Sequence, residues 1–364
     1  MLTALVFLAI LTTAVTIHEL AHYFNAKSVG LEVRAFSVGM GPVVWRRDWR
    51  GTEWRVSLLP LGGYVDIPGM APKQDELGNL QHPEEGFATR TLPQKLWVLV
   101  GGVLANYLLA IVLLATVITA QPNYRSMTSD LPVQTYGAKI VAVVDGSVAE
   151  AVGVLAGDVI DTINGVQDPT YDKVTEAIRS AQDELTLTLA RGGEKLEVAT
   201  PWPPADAGET PLFGIQVGPV EVEELPSVNF VQALGEATAF SARIVPQSLT
   251  GFVRGFGAVF SGRDSEDVAG PVKLVGVTRE ATQAGLIPVL LLASLINFSL
   301  AIFNLLPIPG LDGGRMLLAV IVSLRGRPFK PGQEEFIHFL GFMAILAFMV
   351  LITFNEVSGL FTRG

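Results

Sequence analysis

The sequence predicts a polytopic α-helical membrane protein of about four spans, with a small mixed α+β domain inserted between the second and third. Three observations carry this. Of 364 residues, 49% are hydrophobic and only 16% are charged, against roughly 25% charged in soluble domains. Four stretches are apolar, uncharged and close to the ~20 residues that a spanning helix needs. Between them lies an acid-rich segment punctuated by strand and turn signals.

The first stretch, Leu2–Ile17, runs directly into His18-Glu19-Leu20-Ala21-His22. It lacks the positive flank and small-residue cleavage site of a signal peptide, so it reads as a retained span. Residues 26–95 follow, with nine Lys/Arg and strand-like apolar runs. Leu96–Ala120 is the second span. Residues 121–285 hold eleven Lys/Arg against 22 Asp/Glu. Leu286–Leu306 is the third span. Phe339–Phe354, extendable through His338 and Ile337, is the fourth. Residues 307–335 carry four basic residues. Short basic segments stay cytoplasmic while long domains cross largely regardless of charge. This predicts 26–95 and 307–335 in the cytoplasm, with 121–285 and the N-terminus outside.

Within the inserted segment, Lys139–Val144 reads as a strand, Ser147 as the N-cap of a short helix, and Gly157–Gly165 as a strand closed by Asn164-Gly165. Tyr171–Ala181 has helical spacing; Leu185–Leu189 and Lys195–Thr200 read as paired strands around Arg191-Gly192-Gly193-Glu194. Pro201–Pro211 reads as a linker. Residues 230–260 are amphipathic, suited either to the membrane surface or to packing on the bundle. The chain thus divides into a first membrane half (1–120, with a β-rich loop between its spans), the inserted domain and linker (121–217), an amphipathic connector (218–285) and a second membrane half (286–364).

Composition excludes several function classes. With 25 Lys/Arg against 35 Asp/Glu, the net charge is −10, which opposes nucleic-acid binding. There are no cysteines, so disulfide scaffolds, thiolate metal sites and cysteine nucleophiles are excluded. Histidine chemistry must draw on four residues, His18, His22, His82 and His338.

His18-Glu19-x-x-His22 is the strongest motif. Residues four apart share a helix face, so both imidazoles reach one zinc ion, and Glu19 beside them serves as general base. Zinc lowers the pKa of a bound water to about 7. Three ionisable groups inside an apolar helix are expensive unless they ligate or pair. A third protein ligand is needed. His82 sits in a polar loop and His338 begins the last apolar stretch. Asp312 is the better candidate, because Pro307, Pro309 and three glycines break the helix around it, and irregular backbone at membrane depth lines cavities.

Gly146-Ser147-x-Ala149, Gly153-x-x-x-Gly157-Asp158 and Ile163-Asn164-Gly165 together resemble a bacterial PDZ domain. That resemblance implies peptide or C-terminus binding by strand addition, with Tyr136, Gly137, Ala138 and Lys139 as the binding loop or as an ordinary turn into a strand. The histidine motif, combined with Asn304-x-x-Pro307-x-Pro309-x-Leu311-Asp312-Gly313, resembles the site-2 protease family of intramembrane zinc metalloproteases. The order span, span, PDZ, span, span is similar to its RseP-type bacterial branch in a form with a single PDZ domain. Further matching patches are Phe36–Pro42, Ser57–Val65, Gly101–Asn106 and Gly270-Pro271-Val272.

The resemblance implies one Zn²⁺ per chain held by His18, His22 and Asp312, with Glu19 as catalytic base. It implies that Asn304 binds unwound substrate backbone, and that Arg55, Val56, Ser57, Leu58 and Leu59 form an edge strand pairing with substrate. A cytoplasmic hairpin is the other reading of that strand. The implied function is cleavage of single-span membrane proteins within the lipid bilayer. Such cleavage serves regulated intramembrane proteolysis, as of an anti-sigma factor, or signal-peptide clearance. The implied location is a bacterial inner membrane or a thylakoid or plastid equivalent. The alternatives are a non-catalytic PDZ-bearing membrane scaffold and a metal transporter. A transporter would spread polar groups along a path, whereas here they converge.

Overall fold

The computed structural model describes residues 2–70, 73–74, 80–81, 85–128, 135–204, 212–218, 220–222, 225–260 and 269–362. The chain forms two compact units, Met1–Gln121 with Val228–Gly364, and Pro122–Ser227.

In the first unit, α1 (Leu2–Ser28) leads into a long hairpin of β1 (Ala35–Trp49) and β2 (Thr52–Asp66), then α2 (Leu92–Ala120). After the second unit come α4 (Phe230–Phe260), α5 (Pro271–Ala284), α6 (Leu286–Leu305), α7 (Asp312–Arg325) and α8 (Gln333–Thr362). Among the described residues, four helices are long and apolar enough to cross a membrane: Leu2–Ser28, Leu92–Ala120, Leu286–Leu305 and Gln333–Ser358. The first and last are longer than the apolar runs alone indicate. α1 continues eleven residues past Ile17, so the histidines lie inside the helix, not at its end.

α2 is the most enclosed helix. Its Ala110, Leu114 and Ile118 pack on Ala233 and Ala237 of α4 and on Phe298 of α6. Polar groups tie the same contacts. Tyr107 and Ser241 share a hydrogen bond of 2.5 Å, and the Ser294 hydroxyl donates to the Ala110 carbonyl. In an apolar surrounding such bonds orient helices as much as they hold them. The amphipathic segment 230–260 therefore packs on the bundle.

The hairpin folds back on itself. Ala35 lies opposite both Glu53 and Asp66. From there the pairing advances in step to Val38–Val56 on one side and runs oppositely to Val38–Gly63 on the other. The first residues of β1 are thus flanked on both sides. Their side chains, with Tyr23, Val33, Trp54 and Ile67, make a small core. The hairpin's far end exposes Val43, Val44, Trp45, Leu58 and Leu59.

The second unit is a six-stranded sheet with a helix. β3 (Ala138–Val143), β4 (Val159–Ile163), α3 (Tyr171–Ser180), β5 (Asp183–Arg191), β6 (Glu194–Trp202) and β7 (Ile215–Gly218) follow in order, with Val166–Gln167 as a short sixth strand on β4. The sheet order is β6-β5-β4-β3-β7. Alternate residues of β5, Leu185, Leu187 and Leu189, point to the core beside Ile140, Ile160, Ile163 and Val174. Ser147 caps the short helix Val148–Ala151, its side chain accepting the Glu150 N–H. Asp158, almost fully buried, accepts two hydrogen bonds from the Arg191 guanidinium at 2.7 and 2.8 Å. Trp202 corrects the linker reading. It ends β6, is 2% exposed, and donates its indole N–H to the Ile178 carbonyl. The linker's interior, residues 205–211, lies outside the described residues.

The expected peptide loop, Tyr136–Lys139, is partly taken up by strand pairing. Thr135–Tyr136 pairs with Glu221–Val222, and Ala138 and Lys139 belong to β3, which has β4 on one side and β7 on the other. Lys139, opposite both Val159 and Gly218, therefore has no free edge to offer a peptide. Among the described residues, the strand beside β3 with a free side is β7.

Candidate metal centre

α1 brings His18 and His22 onto one face, with ring centroids 4.7 Å apart and Nε2 atoms 3.1 Å apart. Both are buried, at 8% and 6% exposure. Asp312 arrives from the second half of the chain. Pro307 and Pro309 stop α6, and the chain then turns through Gly310 at φ +99° into α7, whose first residue is Asp312. The turn is tight because Gly313 and Gly314 carry no side chain. A β-carbon on either would overlap the carbonyl oxygens of Leu306 and Ile308 respectively. His338, at the start of α8, braces the turn by accepting the Gly310 N–H at 2.9 Å. His82 lies outside the described residues.

The Asp312 Oδ2 stands 3.0 Å from His18 Nε2 and 3.3 Å from His22 Nε2. It is buried and makes no directed hydrogen bond among the described residues. Three electron-pair donors thus form a triangle with sides of 3.0–3.3 Å. Two ligands of a tetrahedral zinc with bonds of about 2.0–2.1 Å stand about 3.3–3.4 Å apart. The triangle therefore fits one face of such a site, and a two-imidazole, one-carboxylate donor set suits zinc chemically. The His22 Nδ1–H donates to the Val98 carbonyl at 2.8 Å, which leaves its Nε2 lone pair facing the triangle.

Glu19 lies beside the triangle, its carboxylate accepting the Val65 backbone N–H. A cavity of about 420 Å³ joins His18, Glu19, His22, Asp312 and Asn304 to the strand end Tyr64–Ile67. Asn304 spends its Nδ2 on the Leu300 carbonyl at 3.0 Å, which leaves its oxygen as an acceptor.

The expected substrate strand is itself strand-paired where it begins. Arg55 lies opposite both Ser37 and Arg46, and Val56 opposite both Val38 and Trp45. Ser57 and Leu59 pair with Val43 and Met40. Arg55–Leu59 is therefore no free edge at its start, because the hairpin's fold-back covers both of its sides. Among the described residues Gly63–Asp66 pairs on one side only, with 35–38, and Tyr64–Asp66 line the cavity. Sequence reasoning read Leu96–Ala120 as a span and Gly101–Asn106 as a matching patch, but gave α2 no role at the site. Val98, Gly102 and Asn106 repeat every four residues along one face, against the two histidines. The signal available was a glycine pair and a lone Asn inside an otherwise apolar span.

The model of peptidase family M50 matches residues 6–348. The chain belongs to peptidase family M50. A protein of Agrobacterium fabrum is 32% identical over 97% of this chain and 95% of its own length. The zinc metalloprotease RasP of Shouchella clausii is 26% identical over 99% of this chain and all of its own. A protein of a Nostoc species is 29% identical over the whole of this chain and 98% of its own. As an M50 protein this chain is a membrane-embedded zinc metalloprotease, a hydrolase of peptide bonds with Zn²⁺ as cofactor.

Proposed function

We propose that this chain is an intramembrane endopeptidase that cleaves single-span membrane proteins, in regulated proteolysis or in clearance of signal peptides. The observation that carries the reading is the meeting of His18, Glu19 and His22, inside a membrane-type helix, with Asp312 at the start of α7, beside a strand with one free edge. His18, His22 and Asp312 are the zinc ligands. When bound, zinc supplies Lewis acidity that polarises a carbonyl and makes water nucleophilic at neutral pH.

The protein's own residues do the rest. A helical substrate hides its peptide bonds, so it must be extended first. The free edge Gly63–Ile67 offers strand pairing to the unwound segment, in place of Arg55–Leu59, and Asn304 accepts one of its backbone N–H groups. Glu19 takes the proton of the attacking water and passes it to the leaving amine. The Val65 N–H holds the Glu19 carboxylate toward the cavity between these steps. The apolar hairpin end at Val43–Trp45 and Leu58–Leu59 rests in the bilayer and anchors the edge at membrane depth.

The Pro122–Ser227 unit reads as a PDZ-like domain outside the cytoplasm that receives a peptide or C-terminus. β7 is the strand it would extend, beside α3, with Leu212, 79% exposed, three residues before it. The basic charge of 26–95 and 307–335 supports a cytoplasmic location for both, with the active site opening toward that side of the inner membrane.

The deciding experiment is cleavage of a tagged single-span substrate by purified wild type and by Glu19→Gln, with bound zinc assayed in both. Cleavage by wild type alone, with zinc in both, is expected. Equal cleavage by both removes Glu19 from the mechanism. A wild type that neither cleaves nor holds zinc is a scaffold.

A further inference from the structure

Asn106 is 1% exposed in the middle of α2. Its Nδ2 lies 3.4 Å from His18 Nδ1, while its Oδ1 is buried without a hydrogen-bond partner. In that orientation the amide N–H faces a ring nitrogen that must accept. The ring proton would then sit on Nε2, the atom 3.0 Å from Asp312. In that tautomer Nε2 has no lone pair to give a metal held between His22 and Asp312. Turning the amide exchanges two atoms of nearly the same size. Oδ1 then accepts from Nδ1–H, and the Nε2 lone pair is released toward Asp312 and His22.

A second orphaned atom points the same way. Asn297 on α6 is also 1% exposed, and its Oδ1 also lacks a partner. Ser294 bonds Ala110, and the rings of Tyr107 and Phe298 lie 5.9 Å apart. On helices running in opposite directions these contacts put Asn297 level with Asn106. The turned amide carries its N–H₂ to the side away from His18, where it would be available to an acceptor such as Asn297 Oδ1. The rotation gives the buried Asn106 oxygen the donor it lacks, and an unpaired buried oxygen is costly.

We infer that Asn106 is the positioning residue of His18: its side-chain oxygen holds the ring in the Nδ1–H form, as the Val98 carbonyl does for His22. α2 is then the scaffold that aims both imidazoles, with Gly102 leaving room between the two supports. The inference rests on the reading of His18, His22 and Asp312 as zinc ligands.

The test is zinc affinity of the full-length protein by chelator competition, for wild type, Asn106→Leu and Asn106→Asp. Leu keeps the volume and removes the oxygen; Asp keeps the oxygen. Loss of an outer partner of a metal histidine costs about 10–100-fold in affinity. The expected result is a loss of that size for Leu and less than about threefold for Asp. Leu binding as tightly as wild type, or Asp losing as much as Leu, overturns the assignment. Nitrogen NMR of histidine-labelled wild type, loaded with zinc, needs no variant. It should show His18 protonated at Nδ1 and metallated at Nε2, and metal on Nδ1 overturns the assignment. A wild type that binds no zinc overturns the ligand reading beneath it as well.

Discussion

A β-carbon on Gly102 would stand 2.5 Å from His18 Nε2 and 2.6 Å from His22 Nε2. Both atoms belong to the metal triangle, so α2 touches the site with the one residue that fits. Gly102→Ala must push the imidazoles off their convergence, while a single alanine favours the helix itself. The expected outcome is zinc affinity reduced at least about tenfold, the scale of lost support for a metal histidine, with helix content unchanged. Chelator competition and circular dichroism on the same sample check both halves. Unchanged affinity would mean that the ligands lie elsewhere.

The chain has no cysteine, so single introduced cysteines report substrate position cleanly. With a cysteine in the unwound part of a single-span substrate, disulfide trapping is expected from Tyr64→Cys and Ile67→Cys in a Glu19→Gln background. It is expected to be at least about tenfold weaker from Arg55→Cys, which has a strand on either side. The reverse ranking would return the substrate to the Arg55–Leu59 strand.

How far the sequence could be read follows the range of the interactions. His18 and His22 are four residues apart on one helix, so local geometry makes them partners. Asp312 is distant, yet Pro307, Pro309 and the adjacent glycines mark an unusual break at membrane depth. Strand edges are different. Whether Arg55 or Tyr64 is free depends on β1 lying between two parts of β2, and Lys139 loses its edge to β7, which begins 76 residues later at Ile215. Neither pairing leaves a mark on the strand concerned. Trp202, set between two prolines, resembles a linker residue until the core under α3 takes in its ring. Asn106 was visible as a polar residue in an apolar span, but its partner is set by helix packing.

The Pro122–Ser227 unit should weaken in acid through Asp158. Arg191 holds the Asp158 carboxyl below the usual carboxylate range, and the Leu155 N–H helps. The folded form therefore binds a proton less readily than the unfolded chain. Its contribution is complete above about pH 4 and is lost as the pH falls below that. Asp158→Asn should cost about 1–2 kcal/mol at neutral pH, the low end for charged hydrogen bonds because Arg191 is partly in water. Hydrogen exchange of β3, β4 and β5 in the full-length protein measures both. Equal acid sensitivity in wild type and variant would remove Asp158 as the cause.

Glu356 should hold α5 to α8. The carboxylate is 8% exposed and accepts the backbone N–H groups of Gly270, Val272 and Lys273 at 2.7, 3.0 and 3.4 Å. These belong to the start of α5, where unpaired N–H groups and the helix dipole favour an anion. The same closeness explains Gly270, whose β-carbon would overlap Ile352 and stand 2.6 Å from Glu356 Oε2. The Gly270-Pro271-Val272 patch is thus a socket for a side chain 84 residues further on. Glu356→Gln keeps one acceptor but turns an N–H₂ toward N–H groups, and should cost about 1–3 kcal/mol. Glu356→Leu removes every acceptor and should cost more. Exchange of the first-turn amides of α5 should rise about tenfold or more in Glu356→Gln, since 1.4 kcal/mol is a factor of ten, while those of α2 stay protected. A uniform rise across all helices would mean general unfolding, and no rise at α5 would mean that water or lipid headgroups satisfy that helix end without Glu356.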